Sequence, residues 1–256
     1  MFFNGLDSSL RELCETAGRD ILAVRGIRHE VDYKGDGSPV TAADMAAHRR
    51  LAEGLPRLLD IPLLSEEQAS ISWVERSAWQ RYWLVDPLDG TREFVDGFDD
   101  FTVNVALVEA GRVVLGVVHA PALGLTWAGG RGLGAWRWSD DECRALAVHA
   151  ERPPRMLASR AHLDERTQAW LARFPEAELV RCGSSVKFCR IAEGGADLYP
   201  RFGPTCEWDT AAGQGVLEGA GGAVIEMHSR LPLRYNCRES LVNGAFLACS
   251  DPSLLE

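Results

Sequence analysis

Positive charge is in short supply in this 256-residue chain: 27 Lys and Arg stand against 37 Asp and Glu, a net charge of −10. The deficit argues against non-specific nucleic-acid binding, which leans on basic surface. It leaves an anionic small molecule open, because bound divalent cations invert the sign of a local field. Long apolar runs are missing too. The most apolar region, 101–127, is interrupted by Glu109, Gly111 and Arg112, so no membrane span is expected. Met1-Phe2-Phe3-Asn4-Gly5 lacks a basic region and a long apolar core, so no secretory signal is expected. The seven cysteines form no Cys-x-x-Cys pair and are odd in number, which fits reduced, mostly buried thiols. A cytoplasmic location is expected, with peripheral association on the inner membrane left open. No G-x-G-x-x-G opens a helix, even in the glycine-rich 129–138, so a dinucleotide fold gains no support. There is no internal repeat and no low-complexity tract.

What is present reads as an ordinary globular chain, with 46% hydrophobic and 25% charged residues. Its length allows one large domain or two small ones sharing an interface. Leu6, Leu10, Leu13, Ala17, Ile21 and Val24 recur at helical spacing, and a polar loop follows over 32–39. A second helix opens at Thr41 and runs through Leu51, Leu55 and Leu58. Strands are predicted over 61–64 and 82–85, with a hairpin of 101–108 and 113–120 around Glu109-Ala110-Gly111-Arg112 and a strand pair in 129–138. Glu151-Arg152-Pro153-Pro154 is the best linker, because two prolines break both helix and sheet. It divides the chain into 1–150, antiparallel and helix-covered, and 151–256, where strands at 156–159, 197–202, 223–227 and 245–249 alternate with helices at 163–174, 184–193 and 208–217.

The organising stretch is Asp86-Pro87-Leu88-Asp89-Gly90-Thr91, at the end of the apolar strand 82–85. Pro87 stiffens the turn and pushes Asp86 to an extended conformation, while Gly90 lets another group approach the backbone. Oxygen ligands on a stiff loop suit a hard cation such as Mg²⁺. A polar turn is the bland alternative. Taken singly, Glu66 reads as a solvated loop acid, Asp209 as a helix-start carboxylate and Asp44 as the partner of Thr41 in a capping box. Taken together, Glu66, Asp86, Asp89 and Asp209 offer oxygens for two divalent ions, which clamp both oxygens of a phosphoryl displacement. The Leu88 carbonyl lies between the two loop acids as a further ligand. Glu66 follows a strand as Asp86 does, so parallel neighbouring strands would bring them together.

Ser65-Glu66-Glu67, Asp86-Pro87-Leu88-Asp89-Gly90-Thr91 and Trp208-Asp209-Thr210-Ala211-Ala212-Gly213 resemble the inositol monophosphatase superfamily of lithium-sensitive, magnesium-dependent phosphatases. Within it the likeness is to the CysQ-type 3′(2′),5′-bisphosphate nucleotidases, through Gly183-Ser184-Ser185-Val186-Lys187-Phe188-Cys189, Ala192-Glu193-Gly194 and Leu198-Tyr199-Pro200-Arg201-Phe202-Gly203-Pro204-Thr205. Gly37-Ser38-Pro39-Val40-Thr41-Ala42-Ala43-Asp44 and Arg238-Glu239-Ser240 also match, and the likeness runs from about the first helix to Phe246.

The resemblance implies a layered αβαβα sandwich of the sugar-phosphatase type. It implies two or three Mg²⁺ ions on Glu66, Asp86, the Leu88 carbonyl, Asp89 and Asp209. Asp44 and Thr91 would form a hydrogen-bonded pair that, with Glu66, orients and deprotonates a metal-held water for in-line attack. Substrate would meet Glu66, Leu88, Asp89, Gly90, Thr91 and Asp209, with Ser184, Lys187 and Arg201 binding the nucleotide, chiefly its second phosphate. The implied activity is hydrolysis of the 3′-phosphate of adenosine 3′,5′-bisphosphate, serving sulfur assimilation. Inositol monophosphate and fructose 1,6-bisphosphate are the rival substrates. A non-catalytic Mg²⁺ and nucleotide sensor is the rival of another class, disfavoured by the intact set of Asp44, Glu66 and Thr91. Two features depart from the family pattern: Glu207 adds an acid beside the metal loop, with repulsion of phosphate as the concern, and Arg92 follows Thr91.

Overall fold

The stripes Leu10, Cys14, Ala17, Ile21 and Ala43, Ala47, Leu51, Leu55 are fully buried, which is what turns their segments into two packed amphipathic helices. These are α1 (Leu6–Val24) and α2 (Ala42–Leu58), with a short antiparallel pair, β1 (Asp32–Tyr33) and β2 (Pro39–Val40), between them. A computed structural model describes residues 5–25, 32–33, 39–139, 142–160 and 164–255. Residues 1–4, the loop residues 34–38 with Gly37 and Ser38 of the matched motif, and Leu163 at the expected start of a helix lie outside the described residues.

Seven strands form the first sheet in chain order: β3 (Leu63–Ser65), β4 (Arg81–Asp89), β5 (Thr102–Glu109), β6 (Arg112–Ala120), β7 (Leu125–Gly130), β8 (Gly134–Ser139) and β9 (Glu142–Ala145). β3 and β4 are parallel and every later pair is antiparallel. Short helices α3 (Trp73–Arg76) and α4 (Thr91–Val95) flank β4. After an irregular stretch at 146–154 come β10 (Arg155–Ser159), α5 (Glu165–Leu171), β11 (Glu178–Cys182), α6 (Val186–Ala192), β12 (Leu198–Arg201), α7 (Glu207–Gly219), β13 (Ala223–Glu226) and β14 (Phe246–Cys249). The second sheet runs β11-β10-β12-β14-β13 and is mixed: β10 is parallel to both neighbours, while β14 is antiparallel to both of its own.

Alternation along the strands sets the layers. Trp83, Val85, Val103, Val105 and Leu107 pack under α1 and α2. Tyr82, Leu84, Ala106 and Val108 face the other way, into a core shared with α6, α7 and, from the second sheet, Leu157, Tyr199, Val224 and Phe246. Met156, Leu198, Leu247 and Cys249 cover the far side of that sheet, with Trp170 of α5 against them. Helices, sheet, helices, sheet and helix give the expected αβαβα order. The central core draws on both sides of the 151–154 segment. Against β6, α7 lies backbone to backbone: a Cβ on Gly215 would sit 2.8 Å from the Gly116 nitrogen, and one on Gly116 would collide with the Ala212 carbonyl. Among the described residues no helix is long and apolar enough to cross a membrane.

Candidate active site

Three local devices bring distant acids together. Ser65 pairs with Val85 in the parallel β3–β4 register, so Glu66, just past the end of β3, lies beside Asp86 of β4. The ladder between β4 and β5 then shifts register between Asp86 and Asp89, a bulge that re-aims side chains at a sheet rim. Gly90 closes the turn at φ +88°, a conformation that favours glycine, and α4 starts at Thr91. From the other half, Asp209 stands in the first turn of α7, held by the Cys206 N–H at 2.8 Å.

Each of three aspartates has one oxygen tied to backbone. Asp86 Oδ1 accepts from the Leu88 N–H at 3.0 Å, and Asp89 Oδ2 from the Ser185 N–H at 2.6 Å and Asn104 Nδ2 at 3.3 Å. Asp209 Oδ2 takes the Cys206 N–H. Among the described residues the second oxygen of each has no hydrogen bond. Behind them Asp44, 1% exposed, does two jobs. Its Oδ2 accepts from the Thr41 N–H and hydroxyl, both at 2.7 Å, and its Oδ1 accepts from Thr91 Oγ1 at 3.0 Å. The Thr91 hydroxyl also lies 3.1 Å from the Leu88 carbonyl, and with one proton it donates to one of the two at a time.

Glu66, Asp86, Leu88, Asp89, Gly90, Thr91, Ser184, Lys187, Arg201 and Asp209 all line one cavity of about 490 Å³. Of the residues expected at the site, Asp44 alone is set back from it, behind Thr91. Burial raises the Asp86 carboxyl well above the usual carboxylate range, and Glu66, Asp89, Asp209 and Asp44 raise it further. Asp89 is pushed up to about 6 by burial, with Lys187 pulling the other way. Asp209 is raised by burial and then by Asp89. Crowded hard oxygens with raised proton affinity are what a divalent cation relieves. Among the described residues no group of three His, Cys, Asp or Glu side chains is arranged to hold an ion as it stands. The fit therefore rests on the donor chemistry: three carboxylates with an uncommitted oxygen, Glu66 beside them, and the Leu88 carbonyl.

The predicted helix over 184–193 begins two residues late. Ser184 sits outside it at φ +43°, and Lys187 occupies the first turn of α6. Lys187 Nζ turns back to the Ser184 carbonyl at 2.6 Å and the Cys182 carbonyl at 3.2 Å, so the cation is 4% exposed and fixed in direction. Arg201 ends β12 and donates to the Pro204 carbonyl at 3.2 Å. Arg92 lines the cavity. Glu207 does not: it is buried against the Asn236 N–H at 2.7 Å, because two residues along a helix turn a side chain about 200° away from Asp209. The phosphate repulsion expected of it loses its basis. Sequence reasoning passed over Thr102, Asn104 and Asp100, and left Ser185 without a role. Thr102 and Asn104 carried a signal, as two polar residues at alternate positions of an otherwise apolar strand. Asp100 accepts from the Gly183 N–H and from Arg160 at 2.9 Å, across a sequence distance that no local pattern reveals.

The model of the inositol monophosphatase family matches residues 6–253. The 3′(2′),5′-bisphosphate nucleotidase CysQ of Salmonella typhimurium is 46% identical over 241 residues, 92% of this chain and 96% of that protein. Among solved structures, CysQ from Bacteroides thetaiotaomicron superposes with a TM-score of 0.85 at 34% identity, covering 98% of each chain. The IMPase of Thermotoga maritima gives 0.79 at 25% identity, over 97% of this chain and 92% of that one.

Proposed function

The chain belongs to the inositol monophosphatase family, and from that membership we propose that it hydrolyses the 3′-phosphate of adenosine 3′,5′-bisphosphate to AMP and phosphate, with Mg²⁺ bound. One observation carries the choice of substrate: Lys187 and Arg201 line the same cavity as Glu66, Asp86, Asp89 and Asp209. A phosphate facing the acids would leave a second phosphate within reach of the two cations. Lys offers that group a point charge and Arg a fork. The 46% identity to a bisphosphate nucleotidase supports the same reading.

Glu66, Asp86, Asp89, Asp209 and the Leu88 carbonyl would hold two or three Mg²⁺ ions. The bound metal supplies neutralisation of the phosphate oxygens and lowers the pKa of water. The residues of the chain position and move the proton. With its hydrogen directed to Asp44 Oδ1, Thr91 Oγ1 turns a lone pair to the cavity and accepts a proton from the attacking water. Glu66, which lines the same cavity, would help to orient that water. A hydroxyl is a poor base alone, so the carboxylate behind it is needed. The water oxygen attacks phosphorus as the bond to the ribose 3′ oxygen breaks, and the leaving alkoxide takes up, by way of a solvent water, the proton that the Thr91–Asp44 pair removed. Positioning and charge do most of the catalysis, as in phosphoryl transfer generally. No covalent phosphoenzyme is required.

Phosphate release with adenosine 3′,5′-bisphosphate, inositol monophosphate and fructose 1,6-bisphosphate, titrated with Mg²⁺ and then Li⁺, tests this. The expected outcome is the highest kcat/KM for the nucleotide, no turnover without Mg²⁺ and inhibition by Li⁺. Preference for inositol monophosphate would overturn the substrate. Mg²⁺ and nucleotide binding without phosphate release would overturn the enzyme.

A further inference from the structure

Strand β5 is apolar on both faces along most of its length, and apart from the exposed Glu109 at its far end its polar residues stand together at the end nearest the cavity. Thr102 and Asn104 are two residues apart, hence on one side of the strand, and are 0% and 1% exposed. Register sets them opposite Asp89 and Asp86, across the bulge. A buried carboxamide is costly unless both ends are bonded. Asn104 meets that demand with two specific partners. Its Nδ2 donates to Asp89 Oδ2 at 3.3 Å, and its Oδ1 accepts from the Ser185 hydroxyl at 2.7 Å.

Ser185 closes the ring, because its backbone N–H donates to the same Asp89 oxygen at 2.6 Å. Having given its single hydroxyl proton to Asn104, Ser185 accepts from Thr102 Oγ1 at 2.8 Å. Two donors on Asp89 Oδ2 decide which oxygen of that acid is left for the cavity. Ser185 also immediately precedes α6, whose first turn carries Lys187. The ring therefore joins an acid from the first sheet to the helix start that carries a cation from the second half.

We propose that Asn104 is a positioning residue for the reaction: it fixes the free oxygen of Asp89 and locks that acid at a set spacing from Lys187. Asn104 itself does not line the cavity and touches no reacting atom. The inference rests on the reading above in taking Asp89 as a cation ligand. Partners that orient a ligating carboxylate typically change metal affinity by about 10–100-fold when removed.

The test is calorimetric titration of Mg²⁺ into chelator-stripped full-length protein, without substrate, for wild type, Asn104→Ala, Ser185→Ala and the double variant. Asn104→Ala is expected to raise the Mg²⁺ Kd by about 10-fold or more. Ser185→Ala, which keeps the backbone N–H, should raise it less. The double variant should be no worse than Asn104→Ala, because residues in one network are not additive. A lowered Tm with Mg²⁺ Kd within about twofold of wild type would mean a merely structural role and would overturn the proposal. If Asn104→Ala fails to fold, Ser185→Ala decides, and an unchanged Kd there overturns it too. Variants whose Mg²⁺ Kd rises as expected, beside a wild type that leaves adenosine 3′,5′-bisphosphate intact, would sink the proposed function and support this inference.

Discussion

Asp44 shows why a single side chain resisted a single role. The three-residue spacing from Thr41 predicts a capping box, and the box forms with Asp44 Oδ2. The other oxygen holds Thr91, 47 residues away, so the cap and the pairing that the proposed chemistry needs take one oxygen each. Spacing could reveal the first bond only; the second came from family resemblance. This division yields a prediction. Asn at position 44 can still accept at the cap but is no longer an anionic partner for the Thr91 proton. Asp44→Asn is expected to lower kcat by about 10²–10⁴-fold, the range of general acid–base contributions. Helix capping, worth about 1 kcal/mol, should largely survive, because the N-cap Thr41 is untouched and the Asn carboxamide oxygen can still accept from its N–H. Steady-state kinetics beside a thermal melt check it, and near-normal kcat would remove Asp44 from the proton path. Thr91→Ser should retain far more activity than Thr91→Val, since the hydroxyl and not the methyl carries the role.

Elements were readable where burial imposes a period. The strand expected over 82–85, the hairpin at Glu109–Arg112, and the helix carrying Asp209 all appear within a few residues of their expected bounds, the first running on to Asp89. β9 and β11 were missed because their residues are mostly exposed, so no alternation marks them. Glu207 was misplaced for a different reason: adjacency in sequence says nothing about side until a helix assigns one. The glycines of α7 were equally silent, although they set the height of Asp209 over the first sheet. Gly116 faces the Ala212 backbone, where a methyl group has a main chain to displace and no flexible side chain. Gly116→Ala is therefore expected to cost about 1–3 kcal/mol, the usual range for overpacking, and to move α7 against β6. The denaturation midpoint should fall, and kcat/KM with it, because Asp209 rides on the shifted helix. A variant as stable and active as wild type would show that α7 does not depend on that contact.

For the whole molecule the governing quantity is charge held in the wrong place. An excess of ten acids is harmless on a wet surface, but Asp86, Asp89 and Asp209 bring theirs into one shared cavity. Burial raises all three; neighbouring site acids add to it at Asp86 and Asp209, while Asp89, at about 6, is pulled back by Lys187 and pushed up by Glu93. Burial also raises Asp44, Glu218 and Glu207, the last to about 7. In the unfolded chain these groups titrate near 4. The folded, metal-free protein therefore binds more protons than the unfolded chain at intermediate pH. Its stability is fullest below about 4 as far as these groups are concerned, and is lost as pH rises through their folded values. Half-buried His48 and buried His119, with lowered values, act in the opposite sense, but only up to about pH 7, where the unfolded imidazole has also lost its proton. Asp100 and Asp197, lowered because hydrogen bonds from Arg160 and Arg155 outweigh burial, matter only in acid. Between pH 7 and 8 the raised carboxyls act together with the thiols Cys14, Cys182, Cys189 and Cys249, which burial also raises and which pull in the same direction. The Tm of chelator-treated protein is thus expected to fall across that interval, and Mg²⁺ to restore it, with a larger increment at pH 8 because the cation no longer competes with protons. At 100 times the Kd the increment amounts to about 2.7 kcal/mol. Calorimetric melts at both pH values, with and without Mg²⁺, decide the matter. A metal-free Tm that holds level or rises, with equal Mg²⁺ increments, would mean that the acids do not share a cation-binding field.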